Sequence, residues 1–432
     1  MAMEGLAVFE RAALPRWALV RQRLDATRVG DVGAAVSLAF DTREARDAIV
    51  PGTRVALTAG SRGIDRIGDV LTAAVARVRS MGGDPFVVPA MGSHGGATAE
   101  GQLALLAHYG MTPATLGCPI HASMETVRLG EVEDGVPVWF DRIAHERADV
   151  VIPVGRVKPH TDFHGPVESG LMKMLAIGLG KQKGADAFHR QGFADFHHLI
   201  PAVGSFIIGR INVPFGLALI ENGHGELGII EAVPGSRILE QEQELLVRAK
   251  AMMPHLPGEV IDLLMIDRIG KDVSGSGADP NVINRDLTGL VAPAEAALRP
   301  RVQRIVIRDL TEETEGNATG IGLADIALRQ AVDKMDPVSS YMNVITAKSP
   351  AGVRVPLTVA NDRQALAIGL ACCVKVRPET ARIARIADTK HLDRLWVSEA
   401  LLSDLAGSPD IEPLTELREI AFDDAGMLTD GM

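Results

Sequence analysis

Cysteine is scarce in this chain: its 432 residues include only Cys118, Cys372 and Cys373. Three cysteines at these positions provide neither a disulfide framework nor a cysteine-based zinc site. The N-terminal stretch MAMEGLAVFERAALPRW carries charges where a secretion signal requires an apolar core. We therefore expect a protein of the reducing cytoplasm.

Basic charge and long apolar runs are also lacking. The formal net charge is -11, and no basic face is apparent, which argues against nucleic acid as a partner. No uninterrupted apolar run approaches the ~18 residues of a membrane span. The composition, 47% hydrophobic and 23% charged, is ordinary for a soluble globular protein. The expected partner is a small molecule, and assembly into a homo-oligomer is left open.

From about residue 50, short β-rich runs alternate with longer helical ones. TRVALTAG, DPFVVPAMG and ADVVIPVG are typical of strands, and IGDVLTAAVARVRSMG and TAEGQLALLAHYG are typical of helices. This alternation predicts βαβ units and a mostly parallel sheet.

The stretch MMPHLPGEV, residues 252–260, interrupts the pattern with two prolines and a glycine. Beyond it, IDLLMID and VQRIVIRD predict strands of a second α/β domain. We therefore predict two α/β domains, residues 1–257 and 258–432, with a site in the cleft between them.

Polar side chains follow three of the predicted strands. Arg62 lies in GSRG, His94 in MGSHGG, and His160 and His164 in GRVKPHTDFHG. Ligands of parallel sheets bind beyond the carboxyl ends of the strands, where glycine lets the backbone approach them closely. A surface arginine and turn histidines are the alternatives for single residues. Three such loops in succession favour a shared site.

Two other site types are weakly supported. His160 and His164 have a spacing that suits metal binding on a helix, but Pro159 and Gly165 bracket them and favour a loop. IGLGKQKG resembles a phosphate-binding loop, but it lacks the required Ser or Thr, because Gln182 follows Lys181. Its glycine-rich backbone could still bind phosphate through N–H groups.

Lys173 lies inside the apolar run of ESGLMKMLAIGLGKQKGADAFH, residues 168–189. An unpaired ammonium is costly in apolar surroundings, and burial favours a neutral, nucleophilic amine. The alternatives are a lysine whose stem is covered by Met172 and Met174 and a covalently modified lysine without an ammonium charge.

The order and spacing of Ser169, Gly170, Lys173 and His189 resemble those of the nickel-dependent lactate racemase family, whose members racemise or epimerise 2-hydroxyacids. The resemblance extends over roughly residues 50 to 350. It implies that Lys173 covalently tethers a nickel-pincer nucleotide, the nickel-bound pyridinium-3,5-bisthiocarboxylic acid mononucleotide, and that His189 binds the nickel. It places the cofactor in the 1–257 domain. Other residues implied to bind the cofactor are Gly178, Gly180 and Asn222.

The resemblance also implies catalytic residues. His94 and His160 match the two histidines that exchange the hydroxyl proton on opposite faces of the substrate carbon while hydride moves to and from the cofactor. Arg62 matches an arginine that binds the substrate carboxylate. Lys271, in RIGKDVSGSGADPN, matches a substrate-binding lysine of the second domain, which closes over the substrate.

Three departures concern the substrate. Ala59 stands where the family commonly has an aspartate, and no counterpart of the family's second-domain Tyr-Gln pair is evident. The Pro-His pair lies further from Lys173 than in the lactate enzymes, which makes His164 the alternative to His160. The substrate is therefore lactate-like or a larger or more polar 2-hydroxyacid, such as a sugar acid. Two other functions remain open: a lyase that forms a Schiff base at Lys173, and a non-catalytic binding protein for an anionic metabolite.

Overall fold

The computed structural model describes residues 4–61, 63–285 and 300–432. The chain forms two compact units. The first unit is Asp25–Met253, and the second combines the N-terminal segment up to Leu24 with Pro254–Met432.

Both units are mixed α/β structures, which confirms the predicted fold class. The strands are β1 Trp17–Gln22, β2 Arg54–Ala59, β3 Asp84–Pro89, β4 Thr126–Val132, β5 Val136–Asp141, β6 Val150–Ile152, β7 Val154–Arg156, β8 Phe215–Glu221, β9 Leu227–Pro234, β10 Val260–Ile269, β11 Arg301–Leu310, β12 Ile326–Leu328, β13 Leu357–Val359, β14 Ile383–Ile386, β15 Arg394–Ser398 and β16 Ile411–Pro413.

The α-helices are α1 Val32–Ala39, α2 Arg43–Ala48, α3 Ile67–Ser80, α4 Ala99–His108, α5 Pro113–Leu116, α6 Arg142–Arg147, α7 Leu171–Lys173, α8 Lys181–Gln191, α9 Phe196–Ile208, α10 Ile238–Met252, α11 Pro280–Ile283, α12 Arg329–Asp333, α13 Pro337–Thr346, α14 Asp362–Ala371 and α15 Glu399–Asp404. A π-helical turn, Met174–Gly178, directly continues α7. Short 3₁₀ segments are Glu4–Arg11, Gly95–Ala97, Glu133–Gly135, Phe193–Asp195, Gly235–Arg237, Ile321–Leu323, Pro350–Val353 and Pro378–Thr380.

The first unit is built on parallel strands, as the alternating pattern predicted. β2 pairs in parallel with β3 and β6, and β7 pairs in parallel with β8. Pro153 separates β6 from β7, because proline has no N–H to contribute to a ladder, and its carbonyl accepts a hydrogen bond from Leu217 N. β8 and β9 form an antiparallel hairpin.

Both faces of β2 are covered, which explains why its sequence is apolar at successive positions. Leu57 lies in one buried cluster with Val70 of α3. Ala56, which points to the opposite face, lies in another cluster with Leu171 and Leu175. The sheet therefore has the segment that carries Lys173 packed on one side.

The second unit contains an eight-stranded sheet in the order β13-β12-β11-β10-β14-β15-β1-β16. The five strands from β13 to β14 are parallel, and β1 is antiparallel to β15 and β16. This pairing places residues before Asp25 in the second unit, whereas the sequence analysis assigned them to the first. The boundary at Pro254 precedes the predicted one by four residues. Among the described residues, no helix combines the length and apolarity required to cross a membrane.

Trp17→Ala should destabilise the second unit by about 3–5 kcal/mol, because it empties a large core site. Trp17 is fully buried, its ring centroid lies 5.0 Å from that of Trp396, and its Nε1 donates to Asp430 Oδ2 at 3.0 Å. Hydrogen exchange of β10 and β15 amides measures the cost. Val338→Ala, at a side chain of the same unit that is 71% exposed, is the control and should change stability by less than about 0.5 kcal/mol. A cost below 1 kcal/mol for Trp17→Ala would contradict this assignment.

Candidate functional site

The loops that follow β2 and β3 meet through Ser61 and His94. The two strands are parallel neighbours, so their carboxyl ends lie at the same sheet edge. There, Ser61 Oγ forms a short hydrogen bond with His94 Nδ1. Arg62, predicted to bind the substrate carboxylate, lies outside the described residues.

The segment 171–178, which combines α7 and the π turn, lies against these strand ends. Gly92, in the loop after β3, donates its N–H to Gly178 O at 3.1 Å and has a φ of +56°, a value that favours glycine. Met174 Cε would lie 3.3 Å from a Cβ at Gly60 or Gly155. Glycines after β2 and β3 and within β7 thus let segment 171–178 approach all three strands.

Lys173 is half-buried, whereas its neighbours Leu171, Met172 and Leu175 are buried. The fully buried lysine is Lys181, at the start of α8. Its Nζ lies 3.0 Å from Asp141 Oδ2 and donates to Pro89 O. Desolvation lowers the pKa of Lys181, although Asp141 opposes the shift. Sequence analysis missed this pair because its two members are forty residues apart and no local pattern links them.

Glu242 of α10 fixes the N-terminal end of segment 171–178. Its carboxylate is fully buried and accepts a hydrogen bond from Met172 N at 2.9 Å. A Cβ at Gly170 would overlap with this carboxylate, so a glycine is required by close approach. Burial raises the pKa of Glu242 to about 7, against the opposing effect of the Met172 and Leu171 N–H groups.

Glu168 fixes the loop that carries the candidate histidines. Lys158 and Ser169 close this loop with two backbone hydrogen bonds of 3.0 and 3.1 Å. Glu168 is fully buried beside this closure and accepts from His160 N at 2.6 Å and from Lys250 Nζ at 2.7 Å. His164 Nδ1 lies 3.5 Å from Glu168 Oε1.

The charge of Glu168 is stabilised by these contacts. Burial raises its pKa, but hydrogen bonds from His164, Lys250 and the His160 N–H outweigh that effect and place the pKa below its ordinary value. Glu168 lies in the motif that precedes Lys173, but the sequence does not indicate its role, because its partner Lys250 lies eighty-two residues later.

The His160 ring has a defined hydrogen bond on one nitrogen. Its Nδ1 accepts from Asp162 N at 3.0 Å. A backbone N–H can only donate, so in the neutral imidazole the proton lies on Nε2. The ring packs on Phe163, with centroids 4.4 Å apart.

The rings of His160 and His189 both lie near the ring of Phe193. The Phe193 centroid lies 6.5 Å from that of His160 and 5.5 Å from that of His189. His189 lies one helical turn beyond Ala185 on α8, and Ala185 Cβ would lie 3.6 Å from a Cβ at Gly92, in the loop that carries His94. The exposed His164 ring instead contacts Glu168, which favours His160 as the candidate histidine.

The remaining residues assigned to the cofactor have other roles in the structure. Asn222 donates to Thr27 O and Glu226 Oε2 and accepts from the N–H groups of His224 and Glu226. These four hydrogen bonds use the full capacity of its amide and close the β8–β9 loop. Its binding of a cofactor stays a prediction.

Gly178 and Gly180 are explained by packing. A Cβ would lie 2.7 Å from Ala90 O at Gly178 and 2.8 Å from Ala176 O at Gly180. Their binding of a cofactor stays a prediction.

Lys271 lies in the second unit, in the loop that follows β10. Its N–H donates to Thr314 Oγ1 at 3.1 Å, and its Nζ forms a short hydrogen bond with Gly275 O. These contacts hold it at the carboxyl edge of the parallel strands of its own unit. Its role in substrate binding stays a prediction.

The described residues contain no group of three or more His, Cys, Asp or Glu side chains placed to hold a metal ion.

Several solved structures resemble this chain, among them the two that follow. No family model matches the chain, and no curated protein sequence matches it significantly. A crystal structure of a Thermotoga maritima protein is 13% identical, with a TM-score of 0.45 over 66% of this chain and 72% of that chain. The lactate racemase apoprotein from Thermoanaerobacterium thermosaccharolyticum is 14% identical, with a TM-score of 0.49 over 88% of this chain and 94% of that chain.

Glu242→Gln should make stability less dependent on pH. The pKa of Glu242 is about 7 in the fold and about 4.3 in an unfolded chain. Between these values the native state binds more protons, so wild-type stability falls as pH rises. Glutamine does not titrate, so between pH 5 and 8 the variant should gain about 2–3 kcal/mol relative to wild type.

Urea unfolding at the two pH values measures this difference. Glu244→Gln, at an exposed position of the same helix, is the control and should parallel wild type. Parallel pH dependence of wild type and Glu242→Gln would show that Glu242 is not held in this protonation state.

Proposed function

We propose that the protein racemises or epimerises a 2-hydroxyacid with a nickel-pincer nucleotide tethered to Lys173. The observation that carries the proposal is the packing of segment 171–178 against the loop of His94, together with the shared contact of His160 and His189 with Phe193. These are the residue types that the proposed chemistry needs: one amine for attachment, one imidazole for metal and two for proton transfer.

The residues present fit the proposed cofactor. Lys173 is half-buried, which leaves its amine reachable for attachment while apolar neighbours surround its stem. His189 is also partly exposed at the ring cluster, and a neutral imidazole is a suitable nickel ligand. When bound, the group would supply the hydride acceptor and the metal.

The two candidate acid–base histidines have different hydrogen-bonding partners. The Nδ1 of His160 faces a donor, so its Nε2 carries a proton in the neutral ring and can donate it. The Nδ1 of His94 faces the Ser61 hydroxyl, which can also accept. With Nδ1 protonated, the Nε2 of His94 carries the lone pair of the neutral ring, and we assign it the role of base. One histidine thus removes the hydroxyl proton while the other is ready to return one.

The anionic end of the substrate needs a cationic partner. We assign Arg62 to the carboxylate, because a guanidinium binds carboxylates through two parallel hydrogen bonds, and Lys271 to further substrate contacts. Arg156, the last residue of β7, is already paired with Glu221. Arg62 is therefore the better candidate for this role.

Lys173→Ala should abolish the covalent adduct. Wild-type protein co-expressed with the enzymes that build the cofactor should show an intact mass above that of the polypeptide, and the variant should show the polypeptide mass alone. Lys183→Ala, at an exposed lysine of α8, should keep the adduct. A wild-type protein that lacks an adduct but is trapped at Lys173 by borohydride and a keto acid would contradict the tether and favour a Schiff-base lyase.

His94→Ala and His160→Ala should each lower kcat by about 10²–10⁴-fold, because each removes a proton-transfer group. Chiral chromatography of a panel of 2-hydroxyacids measures turnover, and nickel content should stay at the wild-type level. His164→Ala should retain most activity, whereas His189→Ala should lose nickel. An inactive His164→Ala with an active His160→Ala would reverse the assignment within this loop.

A further inference from the structure

We propose that Glu168, neutralised by Lys250, is a positioning residue that holds the loop of His160 in the geometry required for proton transfer. This inference rests on the proposed function, because it assigns a task to a residue that does not itself bind substrate. Its support comes from the first unit alone, where Glu168, Lys250 and His160 all lie.

The position of Glu168 at the loop closure makes it an effective anchor. The loop leaves the sheet after β7 and returns at Ser169, where the backbone pairs with Lys158. From this closure Glu168 reaches back to the N–H of His160, eight residues earlier, at 2.6 Å. The Glu168 carboxylate thus connects the end of the loop to His160, the candidate acid.

The hydrogen bond to the backbone also affects the imidazole. It fixes the chain at His160, and two residues later Asp162 N reaches back to His160 Nδ1. Without the Glu168 contact, the turn from His160 to Asp162 would lose one of its two hydrogen bonds. The imidazole would then populate both neutral tautomers, and its Nε2 would no longer be reserved as a donor.

Lys250 makes a buried carboxylate tolerable at this point. A buried ion costs several kcal/mol unless a counter-charge and hydrogen bonds compensate it. Lys250 Nζ lies 2.7 Å from Glu168 Oε1, with 34% of the lysine side chain exposed. Lys250, in the last turn of α10, therefore compensates the negative charge of Glu168 while part of its own side chain stays exposed.

Helix α10 couples the two halves of the site. Glu242 on this helix holds the start of segment 171–178, and Lys250, about two turns later, holds Glu168. The pair Ser169–Gly170 lies between Glu168 itself and Met172, the residue whose N–H Glu242 accepts. The same helix thus sets both the segment of Lys173 and the loop of His160, which explains how an amine and an imidazole thirteen residues apart keep a fixed separation.

The test compares Glu168→Gln and Lys250→Met in the full-length protein. Glutamine keeps the volume of Glu168 but loses the charge, and its single amide oxygen cannot replace both carboxylate oxygens, which accept from His160 N and from Lys250 Nζ. Methionine keeps the stem of Lys250 without its ammonium. Two readouts are used: histidine ¹⁵N NMR of the protein without cofactor, which reports the tautomer of His160, and steady-state kinetics of the cofactor-loaded enzyme.

Glu168→Gln should lower kcat by about 100-fold, the cost typical of a displacement of about 1 Å. KM should stay within about twofold, and the adduct mass and nickel content should be unchanged, since Lys173 and His189 are not altered. The His160 spectrum should change from a protonated Nε2 to a mixture of tautomers. Lys250→Met should show the same changes to a smaller extent. The double variant should lose less activity than the product of the single effects, because the two residues interact directly.

Arg248→Met is the matched control. Arg248 lies on the same helix and forms an exposed ion pair with Glu231 at 2.8 Å, so its removal should leave both kcat and the His160 spectrum unchanged. Should Glu168→Gln fail to fold, Lys250→Met provides the same comparison, because it leaves every backbone hydrogen bond of the loop in place.

Unchanged kcat together with an unchanged His160 spectrum in Glu168→Gln would overturn the proposal. So would a fall in kcat that is matched by loss of adduct or nickel, since that result indicates general damage to the site. The NMR readout requires neither cofactor nor substrate. A wild-type protein that shows no adduct and no turnover would therefore reject the proposed function, while the tautomer of His160 would still decide whether Glu168 positions the loop.

Discussion

Two buried carboxylates, Glu168 and Glu242, constrain the part of the chain on which the site depends. They flank Ser169–Gly170, where the histidine loop ends and segment 171–178 begins. Neither can move freely, because each is enclosed by protein and accepts a backbone N–H group, that of His160 at Glu168 and that of Met172 at Glu242. Their common attachment to α10 converts a glycine-rich, intrinsically flexible stretch into a defined scaffold for Lys173.

The structure separates two lysines that the sequence places close together. Lys181 is fully buried and neutralised by Asp141, so its task is to join α8 to β5. Lys173 is only half-buried, in apolar surroundings. A reactive amine needs partial desolvation, and the partial burial of Lys173 among apolar residues is compatible with that requirement. His94 follows β3 and His160 follows β7, and their rings have different partners: His94 Nδ1 bonds with the Ser61 hydroxyl, whereas His160 Nδ1 accepts from Asp162 N.

The features predicted from sequence are those with a local signal. Alternating strand and helix patterns gave the parallel strands of both units, and glycines beside polar residues located the strand-end loops where Ser61 and His94 meet. The pairing of β1 with β15, which moves the N-terminal segment into the second unit, depends on contacts between residues far apart in sequence. The partners of Glu168 and Glu242 are hidden for the same reason. The loop-closing contacts of Asn222 are hidden as well, because a loop-closing asparagine and a ligand asparagine look identical in sequence.

We propose that Lys173 and His189 bind one nickel-bearing group. Crystals of protein co-expressed with the cofactor-building enzymes, with X-ray data collected on both sides of the nickel absorption edge, test it most directly. The account predicts one anomalous peak at bonding distance from an imidazole nitrogen of His189 and electron density continuous from Lys173 Nζ to the bound group. A nickel peak at other residues, or an unmodified Lys173 beside an occupied nickel site, would contradict it.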